Sequence, residues 1–159
     1  MTTNLRPILF LDVDGVLNTT KSKTMYSISK GCLRRLEGIV KDTGCKLVLS
    51  STWRRFPEAK SRLLEVFAYR GLGLAGQTPY LPNDIRGQEI QAYLISSNQL
   101  HHRYAILDDD SDMMGYQLPH FFQTDPDYGL TNTIAYRVTY HFTGEYDAHR
   151  SASRTTDHP

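Results

Sequence analysis

The sequence predicts an α/β fold in which a parallel β-sheet is covered by helices on both faces. Three short apolar runs, ILFLDV, KLVLS and YAIL, have the uninterrupted hydrophobicity of strands that are buried on both sides. Between these runs lie segments with hydrophobic residues at three- and four-residue spacing, which is typical of helices. Because strands that alternate with helices are joined by crossover connections, they are expected to pair in parallel.

The first half of the chain alternates between strand and helix patterns. Ser29 is suited to cap a helix, since its side-chain oxygen can accept a hydrogen bond from the first turn, and Gly44 is suited to end that helix. Pro57 fits the first turn of the next helix, where its missing N–H costs no hydrogen bond. The predicted elements are a strand over 8–13, a loop over 14–27, a helix after Ser29, a strand over 46–50 and a helix from Thr52 or Trp53 to Arg70.

The second half of the chain continues this alternation as far as residue 140. A Pro-rich loop through Pro79 and Pro82 follows one predicted strand, and an acidic run that starts at Asp108 ends another. The predicted elements are a short strand over 72–77, a helix over 87–95, a strand over 104–107, a short strand at 121–122 and a helix over 130–140.

The length of 159 residues predicts a single domain, over residues 1–142, followed by a polar tail. Residues 143–159 contain no Ile, Leu, Val, Phe or Met, so this tail is expected to be flexible. The sequence shows no secretory signal and no apolar run of the roughly 20 residues that span a membrane. A soluble, cytoplasmic protein is expected.

The charge of the chain is almost balanced, with 18 Lys and Arg against 17 Asp and Glu. A net charge of +1 excludes bulk attraction to nucleic acid or to a membrane, so any such binding must come from a local patch. Cys32 and Cys45 match neither a disulfide framework nor a common zinc spacing. Function must therefore be sought in local clusters of side chains.

Acidic and hydroxyl side chains follow three of the predicted strands where each strand ends. Asp12 and Asp14 end the first, Ser50 ends the second, and Asp108 and Asp109 follow YAIL. In open parallel sheets, ligands bind outside the carboxyl ends of the strands. Four carboxylates gathered there would repel one another without a cation, and hard oxygen ligands favour Mg²⁺. The alternative is an ordinary Asp-Gly turn together with a separate, solvated acidic loop.

The order and spacing of these groups resemble those of the haloacid dehalogenase (HAD) superfamily of phosphohydrolases, from about residue 7 to about residue 125. FLDVDGVL at residues 10–17 is similar to the first motif of that superfamily, LVLS at 47–50 to the second, and YAILDD at 104–109 to the fourth. The resemblance implies a three-layer, Rossmann-like fold of the HAD type.

The resemblance also implies a role for each matching residue. Asp12 would attack phosphorus as the nucleophile, and Asp14 would act as general acid and base. Ser50, or Ser51 beside it, would hydrogen-bond the phosphoryl group. Mg²⁺ would be held by residues at the strand ends: Asp12, Asp14 through its carbonyl, Asp108 and, through a water, Asp109.

The third motif of the superfamily is where this sequence departs from the usual pattern. A Lys normally stands at the start of the helix before the last motif strand, and here the matching position is Arg86. A guanidinium can neutralise a carboxylate and a phosphate at once, so the role is chemically available to Arg86. The alternative is an exposed Arg that merely lies near a helix N-terminus.

Basic and aromatic residues near the second motif suggest a substrate surface. The string SSTWR at residues 50–54 resembles a subgroup of the superfamily associated with RNA-repair proteins. Trp53 could stack a base and Arg54 could hold a phosphate, with Lys21 and Lys23 adding further contacts. The alternatives are that Trp53 packs beneath the helix start and that the two lysines are only solvated.

The spacing of the motifs leaves no room for a separate cap domain. Positions 15–49 and 51–85, which separate the motif residues, are each filled by a loop, a helix and a strand. The site is therefore expected to be open to a bulky substrate, as in polynucleotide 3′-phosphatases, which the chain resembles in lacking a cap.

The predicted function is that of a Mg²⁺-dependent phosphomonoester hydrolase acting through an aspartyl-phosphate, on nucleic-acid 3′-phosphate ends or nucleotides. The alternatives are a non-catalytic protein that sequesters a phosphorylated ligand, and a phosphatase or phosphotransferase of small metabolites.

Overall fold

A computed structural model describes residues 5–144 and contains a five-stranded, all-parallel sheet. The strand order is β3-β2-β1-β4-β5, so the first strand of the chain is the central one. The predicted α/β class with parallel strands is confirmed. The strands are β1 (Ile8–Leu11), β2 (Lys46–Leu49), β3 (Leu74–Gln77), β4 (Tyr104–Asp108) and β5 (Phe121–Gln123).

Helices cover both faces of this sheet and give the molecule three layers. The side chains of β1 alternate between the two faces: Leu9 and Leu11 belong to one hydrophobic core, Ile8 and Phe10 to the other. Helices α1, α2 and α4 pack on the first face and α3 on the second. The helices are α1 (Lys30–Thr43), α2 (Pro57–Tyr69), α3 (Arg86–Ser96) and α4 (Asn132–Thr143).

The helix caps follow from the local sequence. The Ser29 side chain accepts a hydrogen bond from the Cys32 N–H, and Gly44 ends α1 in the left-handed conformation with φ of 66°. Thr131 caps α4 by accepting a hydrogen bond from the Ile134 N–H. Helix α4 therefore begins at Asn132, two residues after its predicted start at residue 130. Serine and threonine favour such positions because their oxygens satisfy N–H groups that have no partner within the helix.

The predicted helix from Thr52 or Trp53 to Arg70 is divided in the structure. Thr52–Arg55 forms a short 3₁₀ helix, and α2 begins only at Pro57. Phe56 between them is extended, with φ of −112° and ψ of 111°. A residue that precedes proline is disfavoured in the helical region because its backbone collides with the proline ring, so Phe56 must interrupt the helix.

The C-terminal helix extends slightly beyond the predicted domain boundary. Helix α4 continues to Thr143, and Gly144 ends it in the left-handed conformation with φ of 63°. The remainder of the predicted tail, residues 145–159, lies outside the described residues. Within residues 5–144, no helix has both the length and the apolar character needed to cross a membrane.

Candidate active site

The three central strands bring their C-terminal ends together. Leu11 of β1 pairs with Leu49 of β2 on one side and with Leu107 of β4 on the other. The chain continues this pairing for one residue: the Asp12 N–H donates to the Leu107 carbonyl at 3.0 Å, and the Ser50 N–H donates to the Leu11 carbonyl at 3.0 Å. The residues that follow the three strands are therefore adjacent in space.

Three carboxylates converge at this edge of the sheet. Asp12, Asp108 and Asp109 each contribute an oxygen to a cluster in which these atoms lie within 4.8 Å of one another. Asp12 and Asp108 are almost fully buried, with 6% and 1% of their surface exposed. The Asp110 N–H donates to Asp108 Oδ1 at 3.0 Å, whereas Asp108 Oδ2 has no hydrogen-bond partner.

Burial dominates the electrostatics of this cluster in the absence of a cation. Loss of solvation raises the pKa of Asp12 to about 6, and the positive charge of Arg86 opposes the increase. Loss of solvation raises the pKa of Asp108 to about 9, and the neighbouring charge of Asp12 adds to the increase. Two buried carboxylates so close together require a positive charge if both are to be ionised.

Gly15 allows Asp109 to approach the first motif. Gly15 has φ of +76°, and a Cβ atom built on it would lie 2.4 Å from Asp109 Oδ2. A side chain at this position would therefore collide with the carboxylate and would also strain the backbone. The Gly15 carbonyl accepts a hydrogen bond from the buried Thr124 hydroxyl at 2.7 Å, and this bond connects the turn to the end of β5. The Asp-Gly step thus makes room for the third carboxylate.

Asp14 lies on the solvent side of the cluster. Its side chain is exposed, and Asp14 Oδ1 accepts a hydrogen bond from Asn18 Nδ2 at 2.8 Å. Asn18 also accepts from the Gly15 N–H at 3.0 Å, so one amide orients both the carboxylate and the turn. The sequence prediction overlooked Asn18, whose position four residues after Asp14 in a polar loop was the available signal.

Ser50 and Ser51 have different roles in the structure. Both are fully buried, but Ser51 Oγ accepts a hydrogen bond from the Trp53 N–H at 3.1 Å and caps the 3₁₀ helix. Ser50 Oγ has no hydrogen-bond partner. A buried hydroxyl without a partner is rare because it forfeits its bonds to water, and of the two serines only Ser50 has this feature.

The start of α3 brings Arg86 next to the carboxylate cluster. Arg86 is the first residue of α3, and its Nε lies 3.6 Å from Asp108 Oδ2. Its backbone N–H donates to Asp112 Oδ2 at 3.1 Å, so a carboxylate from the loop after β4 anchors the start of α3. The predicted Arg86 therefore lies beside the acidic cluster, while Asp112 was not predicted to anchor it.

The structure places Trp53 and Arg54, which were predicted to contact the substrate, in the protein interior. Trp53 is 3% exposed and makes an edge-to-face contact with Tyr26, so it packs into the core beneath the 3₁₀ helix. Arg54 is 8% exposed and forms an ion pair with the buried Glu89. Trp53 therefore fits the alternative of packing beneath the helix start, and the Arg54 guanidinium is engaged within the protein.

Arg54 instead joins the loops that follow β2 and β3. Its guanidinium donates to four carbonyls: Ser50 at 3.0 Å, Ser51 at 2.7 Å, Thr78 at 3.0 Å and Pro79 at 3.2 Å. Glu89 supplies the balancing charge from α3, and its position beside Ile90 on a buried helix face was the available signal in the sequence. A guanidinium has enough donors to satisfy such a set, which explains its burial.

The two predicted lysines lie in the exposed loop after β1. Lys21 Nζ lies 5.3 Å from the centre of the Tyr128 ring, and Lys23 is exposed. Both therefore remain accessible to a ligand, although they are not part of the carboxylate cluster.

Comparison with protein families agrees with the geometry of the strand ends. The family model described as "HAD domain in Swiss Army Knife RNA repair proteins" matches residues 8–135, a span that includes the carboxylate cluster, Ser50 and Arg86. Comparisons with curated proteins and with solved structures gave no significant match. Since the family match covers most of the chain, this protein belongs to the HAD domains of Swiss Army Knife RNA repair proteins, within the phosphatase-type HAD superfamily.

Proposed function

We propose that this protein is a Mg²⁺-dependent phosphomonoester hydrolase that acts on nucleic-acid 3′-phosphate ends or on nucleotides. The observation that carries this proposal is the convergence of buried Asp12 and Asp108 with Asp109, next to an unpartnered Ser50 hydroxyl and the Arg86 guanidinium. One edge of the sheet thus carries acidic groups that could react with phosphorus. It also carries positive and hydrogen-bond-donating groups that could hold a phosphoryl group.

The residues at the cluster fit a magnesium ion. All three side chains offer carboxylate oxygens, the ligands that Mg²⁺ prefers, and Asp108 Oδ2 is a buried acceptor with no hydrogen-bond partner. Asp12, Asp108 and Asp109 would hold the ion, with Asp14 contributing its carbonyl. When bound, Mg²⁺ would supply the positive charge that keeps Asp12 ionised and that offsets the charge of the phosphoryl oxygens.

Asp12 is the proposed nucleophile. Its carboxylate oxygen forms a bond to phosphorus while the bond from phosphorus to the ester oxygen breaks, which leaves an aspartyl-phosphate. The departing oxygen takes a proton from Asp14, whose side chain is exposed and lies only two residues after Asp12. Asp14 then accepts a proton from the water that attacks phosphorus, and inorganic phosphate and free Asp12 are released.

Ser50 and Arg86 are the proposed holders of the phosphoryl oxygens. The Ser50 hydroxyl can donate one hydrogen bond, and the Arg86 guanidinium can neutralise charge while it remains paired with Asp108. Because these donors are held by strand and helix ends, they need little rearrangement as charge develops in the transition state.

The family association and the absence of a covering domain within residues 5–144 support a nucleic-acid substrate. The family description refers to RNA repair proteins. Within residues 5–144, only the loop, helix and strand elements described above separate the motif residues, and no additional domain covers the strand ends. A site without a covering domain can accept the end of a polymer.

Phosphate release from a 3′-phosphorylated oligonucleotide tests the proposed function. The wild-type protein should release inorganic phosphate with Mg²⁺ present, and Asp12→Asn should lower kcat by at least about a hundredfold because the amide is not nucleophilic. Asp84→Asn, an exposed carboxylate in the loop after β3, is the matched control and should retain activity.

The same assay separates this proposal from its alternatives. A non-catalytic protein would bind the oligonucleotide without releasing phosphate, and a metabolite phosphatase would prefer sugar phosphates over any oligonucleotide. More than about a tenth of the wild-type kcat in Asp12→Asn would show that Asp12 is not a covalent catalyst.

A further inference from the structure

An exposed arginine and an exposed tyrosine stack on each other at the carboxyl edge of the sheet. The Arg55 guanidinium lies over the Tyr80 ring, with 3.4 Å between Arg55 Cζ and the ring centre. Tyr80 is 47% exposed, and Arg55 is exposed as well. The sequence suggested an aromatic ring beside a guanidinium at Trp53 and Arg54, and the structure has this arrangement at Tyr80 and Arg55.

The backbone places this pair beside the candidate phosphate site. Arg55 ends the 3₁₀ helix that begins two residues after Ser50. Tyr80 follows Thr78 by two residues, and the Thr78 N–H donates to the Leu49 carbonyl at 2.9 Å. Because neighbouring strands lie about 4.8 Å apart, the two chain segments leave the sheet next to each other.

The buried Arg54 network holds the pair in place relative to Ser50. Arg54 donates to the Ser50 carbonyl at the base of one segment and to the Pro79 carbonyl directly before Tyr80 in the other. Its ion pair with Glu89 ties both segments to α3. The stacked pair therefore rests on a buried, hydrogen-bonded support.

We propose that the Arg55–Tyr80 pair stacks on the nucleobase of the nucleotide whose phosphate lies at Ser50. Aromatic rings and guanidinium planes both stack on unpaired bases, with little dependence on which base is present. The pair thereby selects nucleotides and nucleic-acid ends over sugar phosphates, and its positive charge favours the adjoining phosphate. This inference rests on the proposed function and names the residues that confer its substrate preference.

A second exposed cation–aromatic pair on the other side of the site is less suited to this role. Lys21 lies over Tyr128, but the turn that carries Tyr128 also contains Asp125 and Asp127. The Thr20 hydroxyl donates to Asp127 Oδ1, which keeps that carboxylate close to the Lys21 loop. Carboxylates repel the phosphates of a nucleic-acid strand, so the strand is expected to leave the site past Arg55 and Tyr80.

A substrate that lacks one base tests this inference directly. Two 3′-phosphorylated oligonucleotides would be compared, identical except that the terminal nucleotide of one has no base. Since stacking contributes about 1–3 kcal/mol per base, the wild-type protein should favour the intact substrate in kcat/KM by about 5- to 150-fold. Tyr80→Ala should reduce this ratio to below about twofold, while Tyr80→Phe, which keeps the ring, should preserve it.

Tyr69→Ala is the matched control, because Tyr69 is 90% exposed at the end of α2 and should not influence the ratio. The inference is overturned if the wild-type protein does not distinguish the two oligonucleotides, or if Tyr80→Ala keeps the wild-type ratio.

Binding to the Asp12→Asn variant separates failure of this inference from failure of the proposed function. Fluorescence anisotropy with the same two oligonucleotides should show tighter binding of the intact one, and the added Tyr80→Ala substitution should remove the difference. If the wild-type protein hydrolyses no phosphate ester but this difference is present, the catalytic proposal fails and the stacking inference stands. Equal binding of the two oligonucleotides overturns the stacking inference even if hydrolysis is observed.

Discussion

Two adjacent serines at the end of β2 show how single residues divide structural and chemical roles. The Ser51 side-chain oxygen accepts a hydrogen bond from the Trp53 N–H and so caps the 3₁₀ helix, whereas the buried Ser50 hydroxyl has no hydrogen-bond partner. The sequence alone treats the two as interchangeable hydroxyls. Their surroundings make Ser51 a cap and leave the Ser50 hydroxyl without a hydrogen-bond partner.

Substitution of each serine by alanine should separate these roles. Ser51→Ala should lower the free energy of unfolding by about 1 kcal/mol, because a cap is lost. Ser50→Ala should change it by less than about 0.5 kcal/mol, since no hydrogen bond is removed, but should lower kcat/KM by about 10²- to 10³-fold, the cost of losing one transition-state donor. Urea unfolding and phosphate-release kinetics measure the two effects. Equal losses of stability would contradict the division of roles.

The 3₁₀ helix Thr52–Arg55 is the element that decides which side chains reach the solvent. The extended Phe56 before Pro57 stops a continuous helix from forming. The resulting short turn directs Trp53 and Arg54 into the protein and leaves Arg55 outside. This element therefore supports the strand ends from within and leaves one guanidinium, that of Arg55, exposed to solvent.

Loss of the buried arginine should destabilise the protein strongly. Arg54→Met removes the partner of buried Glu89 and the donors to four loop carbonyls, so the free energy of unfolding should fall by about 3–5 kcal/mol. Arg62→Met is the matched control: its ion pair with Glu65 is exposed and should contribute less than about 1 kcal/mol. Denaturant unfolding measures both. A loss below 1 kcal/mol for Arg54→Met would show that the network does not support the loops.

At the scale of the whole molecule, the notable feature is a pair of carboxyl groups buried at one edge of the sheet. Asp12 and Asp108 lie at the ends of adjacent central strands, where helices on both faces exclude water. A cation bound there would stabilise the folded state alone, because the unfolded chain does not assemble the cluster. We therefore expect the stability of the domain to depend on whether a cation is bound.

The stability of the metal-free protein should fall as pH rises from about 5 to about 8. The raised pKa of Asp108, about 9, means that the folded state retains a proton which the unfolded chain has released above about pH 4. One such proton corresponds to about 1.4 kcal/mol per pH unit. Thermal unfolding in EDTA measures this slope, and Asp108→Asn should flatten it while raising Tm at pH 8.

Two comparisons check this assignment. Asp84→Asn, with an exposed side chain, should keep the wild-type slope in EDTA. Added Mg²⁺ should raise the Tm of the wild-type protein at pH 8 but not that of Asp108→Asn, because one ligand is missing. An unchanged slope in Asp108→Asn would show that another group dominates the pH dependence.

The sequence by itself determined the strand–helix alternation, the parallel class of the sheet and the carboxylates at the strand ends. These features are local: apolar runs, helical spacing and the residues that directly follow a strand are all visible along the chain. Because parallel strands share one carboxyl edge, Asp12, Ser50 and Asp108 could be expected to meet from the sequence alone. Asp109 directly follows Asp108, and Arg86 was predicted from the resemblance to the third HAD motif.

Only the tertiary structure decided which neighbouring side chains are exposed to solvent. Trp53 and Arg54 have the composition of a substrate surface, yet their burial depends on Tyr26, Glu89 and the carbonyl of Thr78, which are distant in sequence. The exposed Arg55–Tyr80 pair likewise joins two loops that meet only after β2 and β3 pair. Side-chain exposure depends on contacts between distant segments, and a pattern along one chain does not contain those contacts.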